Sequence, residues 1–312
     1  MKSKFYLLIS LLITLSFIID VSAQMNSTYK TRLEIPNSKL TLYKPSNYQF
    51  IPELFRIQSD QEKFVQISEL EGANYLEGKE KLLQKIKGTN VQVTHNLKIS
   101  NYDAILIVSP QEGKQITQNL LLFGDENLTV MVVGISPIND ELSQKEIQEI
   151  LLSVNYNKNI KFDESSLPFI INLKDSKYKL AKTLSGLYFF TVSGEGTPFG
   201  DELINNFSVQ IFPSDFSLIE MENYSKKFVQ DLSNNNFKEK NVKIINQASK
   251  NYTEGKNQIY ETILNSEYKG KNHKMILILK STENKTILFL GTDLEGNNIE
   301  IFKEIFKTIK LR

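Results

Sequence analysis

The sequence predicts an α+β protein of two repeated domains, each a mostly antiparallel sheet flanked by helices. Three observations predict it. Strand-like stretches follow one another across short turn signals (Asn101-Tyr102-Asp103, Glu112-Gly113, Gly124-Asp125-Glu126-Asn127), which pairs chain neighbours antiparallel. Each half carries one helical pattern in its middle and one at its end, the arrangement of an α+β layer fold. The two halves also echo one another at a spacing of about 150 residues. Asn90-Val91-Gln92-Val93 returns as Asn241-Val242-Lys243-Ile244, Asn101-Tyr102 as Asn251-Tyr252, and the apolar run ending in Gly134 as the run ending in Gly291.

The first half, residues 31–155, opens with the alternating Lys39-Leu40-Thr41-Leu42-Tyr43, closed by Pro45 and followed by an irregular segment around Pro52. Phe64 to Leu70 alternates again and reads as a strand. Asn74 is placed to cap a helix from Tyr75 to Lys87, which Gly88 ends. Strands are expected at Val91 to Ile99, Ala104 to Ser109, Gln115 to Phe123 and Leu128 to Ile135. Ser143-Gln144-Lys145-Glu146 has the spacing of a capping box, and Ile147, Ile150, Leu151 and Val154 then share one helical face.

Residues 156–167 are polar and aperiodic, so they read as a linker. The second half, residues 168–312, repeats the order: strands at Lys177 to Leu184, Leu187 to Val192 and Phe207 to Phe212, then a helix from about Glu222 to Ser233. Further strands follow at Val242 to Gln247, Gln258 to Ser266, Lys274 to Lys280 and Thr286 to Gly291. Asn297 with Glu300 imitates a capping box before a closing helix whose apolar face is Ile301, Phe302, Ile305, Phe306 and Ile309.

Residues 1–23 stand apart. Lys2 and Lys4 precede an apolar run from Phe5 to Ile19, and Val21-Ser22-Ala23 offers the small residues of a cleavage site, so export with cleavage after Ala23 is expected. The destination is periplasmic or extracellular. The run is too short to span a bilayer, and no second run approaches that length in the mature chain. The chain has no cysteine, so its core must hold it without disulfides. Its 37 basic residues face 36 acidic ones, which lacks the footprint of a nucleic-acid binder or of a polybasic membrane patch.

The order of elements resembles the PsbP-like fold of the PsbP/Mog/DcrB-type proteins. The resemblance is carried by Leu40-Thr41-Leu42-Tyr43-Lys44-Pro45, Val91 to Ile99, Asn101-Tyr102-Asp103-Ala104 and Val132-Val133-Gly134 before the Ser143 to Val154 helix, with second-half counterparts from Asn241 to Lys310. It implies a non-catalytic, monomeric binding or assembly module of the cell envelope. An envelope protein is the expected partner, or a small apolar ligand held between sheet and helix. Alternatives are a carboxylate-based hydrolase and a carrier of that apolar ligand.

Chemistry-bearing motifs are sparse. His95 and His273 lie in different halves without partners at metal-ligand spacing, and both are expected to face outward from strands. Asp103, eight residues beyond His95, reads as a turn residue, and no serine sits in a G-x-S-x-G elbow. Asp293-Leu294-Glu295-Gly296-Asn297 faintly resembles a calcium loop but reads as a turn before a helix. No catalytic, cofactor or metal residue is assigned, and no cofactor or enzymatic activity is expected. One surface candidate remains: Gly194, Glu195, Gly196, Thr197, Pro198, Phe199 and Gly200, where the first half has only Ser59-Asp60-Gln61. The lack of a helix directly afterwards and the acidic neighbours Asp201 and Glu202 argue against a phosphate loop, so it reads as an interaction loop.

Overall fold

A computed structural model describes residues 30–60, 62–160, 164–174, 176–195, 205–232, 243–268, 270–294 and 297–312. The expected signal segment lies outside these residues. The chain forms two compact units, one of residues up to Leu167 together with Thr183–Ser185, the other of Pro168–Lys182 and Gly186–Arg312.

In the first unit, β1 (Lys30–Glu34), β2 (Leu40–Pro45), β3 (Gln49–Ile51), β4 (Arg56–Gln58) and β5 (Phe64–Glu71) lead to α1 (Tyr75–Ile86). A meander of β6 (Gln92–Ile99), β7 (Tyr102–Gln111), β8 (Ile116–Gly124) and β9 (Leu128–Pro137) follows, then α2 (Glu141–Leu152) and β10 (Asn155–Tyr156). The main sheet is antiparallel throughout, in the order β3-β4-β5-β9-β8-β7-β6. β2 pairs separately with β1 and β10.

The second unit contains β11 (Phe169–Ile170), β12 (Lys179–Leu184), β13 (Leu187–Thr191), β14 (Asn206–Phe212), α3 (Leu218–Asp231), β15 (Lys243–Glu254), β16 (Asn257–Tyr268), β17 (Lys271–Ser281), β18 (Thr286–Asp293), α4 (Ile299–Lys307) and β19 (Lys310–Leu311). Its sheet runs β12-β13-β14-β18-β17-β16-β15, the same path as the first, and β19 pairs with β11 as β10 does with β2. The fold is α+β, with two seven-stranded sheets flanked by helices.

The two glycines that end the apolar runs have the same structural task. Gly134 lies between Val65 and Asn119 in its sheet, Gly291 between Phe207 and Ile276. A Cβ on Gly134 would come within 2.2 Å of Ile147 of α2, and one on Gly291 within 2.5 Å of Phe302 of α4. Only glycine lets the closing helix approach its sheet this closely. In the second unit α4 covers the face bearing Phe207 and Phe289, while Leu288 and Leu290 point to the other side, under Met221, Tyr224 and Phe228 of α3.

Several details differ from the sequence expectations. Asn101 and Tyr102 lie at the β6–β7 turn, but Asn251 and Tyr252 lie inside β15, opposite Tyr260 and Ile259, so they are not structural equivalents. The second hairpin turns later, at Gly255, whose φ of +62° suits glycine. α2 is capped by Asp140, not Ser143: the Asp140 carboxylate accepts from both the amide and the hydroxyl of Ser143. α3 starts at Leu218 through a complete capping box of Ser217 and Glu220. The closing α4 has Asn298 as its N-cap, and Asn297 is exposed. Tyr156 of β10 is buried, with its ring 5.5 Å from that of Tyr102, so first-unit packing reaches into the polar segment after Asn155.

Candidate functional site

Of the candidate interaction loop, Gly194 and Glu195 are described, and Gly196 to Gly200 lie outside the described residues. The described base is a tight turn after β13. The Thr191 hydroxyl donates to the Glu195 carbonyl at 2.7 Å, and the Glu195 amide donates to the Ser193 hydroxyl at 3.2 Å. Gly194 has φ +74°, and a Cβ there would sit 3.2 Å from Cβ of Lys179. The glycine is thus demanded by the turn and by its contact with β12.

The titratable residues singled out in the sequence do not come together. His95 is exposed beside a bulge of β6, where the register skips between Thr94 and Leu97. Asp103 pairs with Lys98 at 2.5 Å, and hydrogen bonding to that ammonium holds its carboxyl below the usual range. His273 is buried, contrary to the outward orientation expected. β17 is an interior strand, and His273 shares a face with Leu277 and Leu279, which pack beneath α3. Asp293, also fully buried, accepts from the Asn298 amide at 2.6 Å and from its side-chain nitrogen at 2.8 Å. Its oxygens therefore latch the entry to α4. Among the described residues no group of three or more His, Cys, Asp or Glu side chains is arranged to hold a metal.

Sequence reasoning missed a polar latch in the first unit. Glu69 on β5 accepts from the Ser38 hydroxyl and from the Lys39 amide at 3.2 Å, while Lys39 reaches Glu71 at 2.6 Å. Burial raises the Glu69 carboxyl to about 7, against the downward pull of these donors. The strand pattern does carry a signal, since Glu69 shares the inward parity of Val65 and Ile67. In the second unit Thr262 joins Ser225 of α3 at 2.7 Å to Ser249 of β15 at 2.9 Å, tying that helix to the sheet.

Two surface features stand out. A shallow, open depression of about 560 Å³ lies at the β7–β8 hairpin, lined by Asn90 and Pro110 to Lys114. The stronger feature is β15, at the sheet edge away from the β13–β14 connection that carries the candidate loop. It is 12 residues long and exposed except at Ile244. Ile245, at the bulge, is 50% exposed and Tyr252 is 41% exposed. Edge strands are usually short, charged or interrupted by proline, because their free N–H and C=O groups accept another strand. β15 is bulged only near Ile245, leaving Asn246 to Glu254 in unbroken register.

No protein-family model matches the sequence, and comparison with curated proteins gives no match. Among solved structures, cyanobacterial PsbP (CyanoP) from Synechocystis sp. PCC 6803 covers 50% of this chain and 100% of its own, at 13% identity and a TM-score of 0.29. The immunity protein TplEi of T6SS from Pseudomonas aeruginosa, complexed with an "L" peptide, covers 91% of this chain and 98% of its own, at 7% identity and 0.31. The dehydratase domain from the CurJ module of curacin polyketide synthase covers 84% and 95%, at 12% identity and 0.14.

Proposed function

We propose that the chain is an exported, monomeric, non-catalytic binding module of the cell envelope. In this reading two PsbP-like domains, 31–155 and 168–312 with 156–167 between them, follow a signal peptide cleaved after Ala23. The order of elements supports the domain reading: a set of strands, a helix, a four-strand meander and a closing helix in each unit. Among the described residues no helix is long and apolar enough to cross a membrane.

The observation that carries the binding role is the open edge of β15, which offers backbone hydrogen bonds flanked by Ile245 and Tyr252 to an extended segment of a protein partner. The rival small apolar ligand would lie between sheet and helix. In the second unit that space is filled: Phe207 stacks on Phe190 at 4.5 Å and on Phe289 at 5.0 Å, with Phe302 and Phe306 packed from above. A carboxylate hydrolase would have Glu69 as its acid, but that carboxyl is engaged by the β1–β2 turn.

The test is affinity capture from envelope extract of the native host, comparing the wild type with Ile245→Lys/Tyr252→Ser. Both side chains are exposed, so the fold is expected to persist with its circular dichroism unchanged. A partner lost by the variant supports the reading, and a partner retained at equal yield contradicts it.

A further inference from the structure

The first unit holds a cation that no described residue answers. Arg56, on β4, stands opposite Gln66 of β5 and is only 9% exposed. Its guanidinium carbon lies 4.5 Å from the centroid of the Phe64 ring, a stacking that holds the fork in one plane. Nε is sealed from solvent and has no hydrogen-bond partner. The two terminal nitrogens also make no hydrogen bond to a described residue, and of the three guanidinium nitrogens Nε is the one fully sealed from solvent. No described carboxylate lies within ion-pairing distance of Arg56. Burial alone lowers its pKa, to about 10, with no neighbouring charge contributing. The group therefore stays charged at neutral pH, and an enclosed, unpaired charge is costly to keep.

The architecture does not require that charge. Counting from the glycine under each closing helix, Gly134 faces Val65 and the next residue, Gln66, faces Arg56. In the second unit Gly291 faces Phe207 and the next residue, Ser208, faces Phe189. A buried phenylalanine thus occupies the corresponding place. Gln58, two residues beyond Arg56 on the same face, also leaves its buried side-chain oxygen without a partner.

We infer that Arg56, stacked on Phe64, is a receptor for a carboxylate. A planar monoanion matches the guanidinium fork through two parallel hydrogen bonds, and a single negative charge balances the one cation present. The carboxylate comes either from an acidic side chain or chain end of a protein partner, or from a small free acid. The first source rests on the binding role proposed above. The second is independent of it.

Sodium acetate serves as the probe, with sodium chloride at matched ionic strength as the control. The Arg56 Nε–H resonance of the wild-type protein, identified by its absence in Arg56→Met, should shift saturably with acetate and stay in place with chloride. Acetate should also raise the melting temperature of the wild type by at least 1 °C more than that of Arg56→Met. Absence of a saturable acetate shift in the wild type overturns the site, whatever the variant does. Capture from envelope extract then separates the sources. Loss of a partner with Arg56→Met, but retention with Arg56→Lys at reduced yield, assigns the carboxylate to the protein partner. Equal capture by all three, with the acetate response intact, assigns it to a small acid and leaves the β15 reading untouched.

Discussion

At the scale of single residues, Glu69 shows how one carboxyl can make this fold sensitive to pH. Its folded-state pKa of about 7 lies above the ordinary 4.5, so between these values the native state holds a proton that the unfolded chain has released. Stability from this group is fully present below about pH 4.5 and is lost as pH rises through about 7, by about 3 kcal/mol. Glu69→Gln should therefore gain on the wild type between pH 5 and pH 8 in urea midpoints measured across that range. Parallel midpoint curves would contradict the assignment. The inward parity of Glu69 was legible in the strand pattern, but its partners were not, because Ser38 and Lys39 lie some 30 residues earlier. The outward orientation expected of His273 failed for a related reason: strand alternation shows which residues share a face, while burial of both faces depends on the neighbouring strands and helices. Arg56 carried no signal at all, since an arginine in a short irregular stretch reads as solvated surface.

At the scale of elements, long periodic segments were legible and short ones were not. The meander strands β6 to β9 and β16 to β18 are expected in place, and β15 only in its first part, because a strand pattern separates cleanly from a helical period. β3 and β4, at three residues each, are too short to show a period, and the polar pair β10 is held by its partner β2. Helix starts were misjudged where two capping residues compete: Asp140 precedes Ser143 by three residues, and the carboxylate wins by accepting two bonds. The glycines beneath α2 and α4 were legible as run endings, and their purpose became clear only with the helices in place. Gly291→Ala should cost about 1–3 kcal/mol by forcing Phe302 outward. Chemical denaturation of Gly291→Ala, Phe302→Leu and the double variant checks the cause. The double variant should lose less than the sum of the two singles, and strict additivity would mean that the contact is not the source of the strain.

At the scale of the whole molecule, the two sheets follow one path and differ in what they leave open. The first ends in the eight-residue β6 with a bulge near its middle, the second in the 12-residue β15 with a bulge near one end. The sequence made the α+β class and the recurring element order legible, since both rest on pattern. It did not make the open edge legible: β15 was expected to stop at Gln247, because Ala248 to Glu254 lacks the apolar alternation that marks a strand with one buried face. A segment polar on both sides is hard to tell from a loop. Gly194–Gly200 is marked in the sequence by its glycines and Phe199, whereas β15 lies at the opposite edge of that sheet. Site-specific photocrosslinking in the native host tests the proposed role most directly. A photoreactive side chain would replace Ile245 or Tyr252 on β15, with Leu142, 83% exposed on the first unit, as the control position. The binding role predicts one discrete protein adduct from both β15 positions and none from Leu142. No adduct from β15, or the same adducts from all three positions, would contradict it.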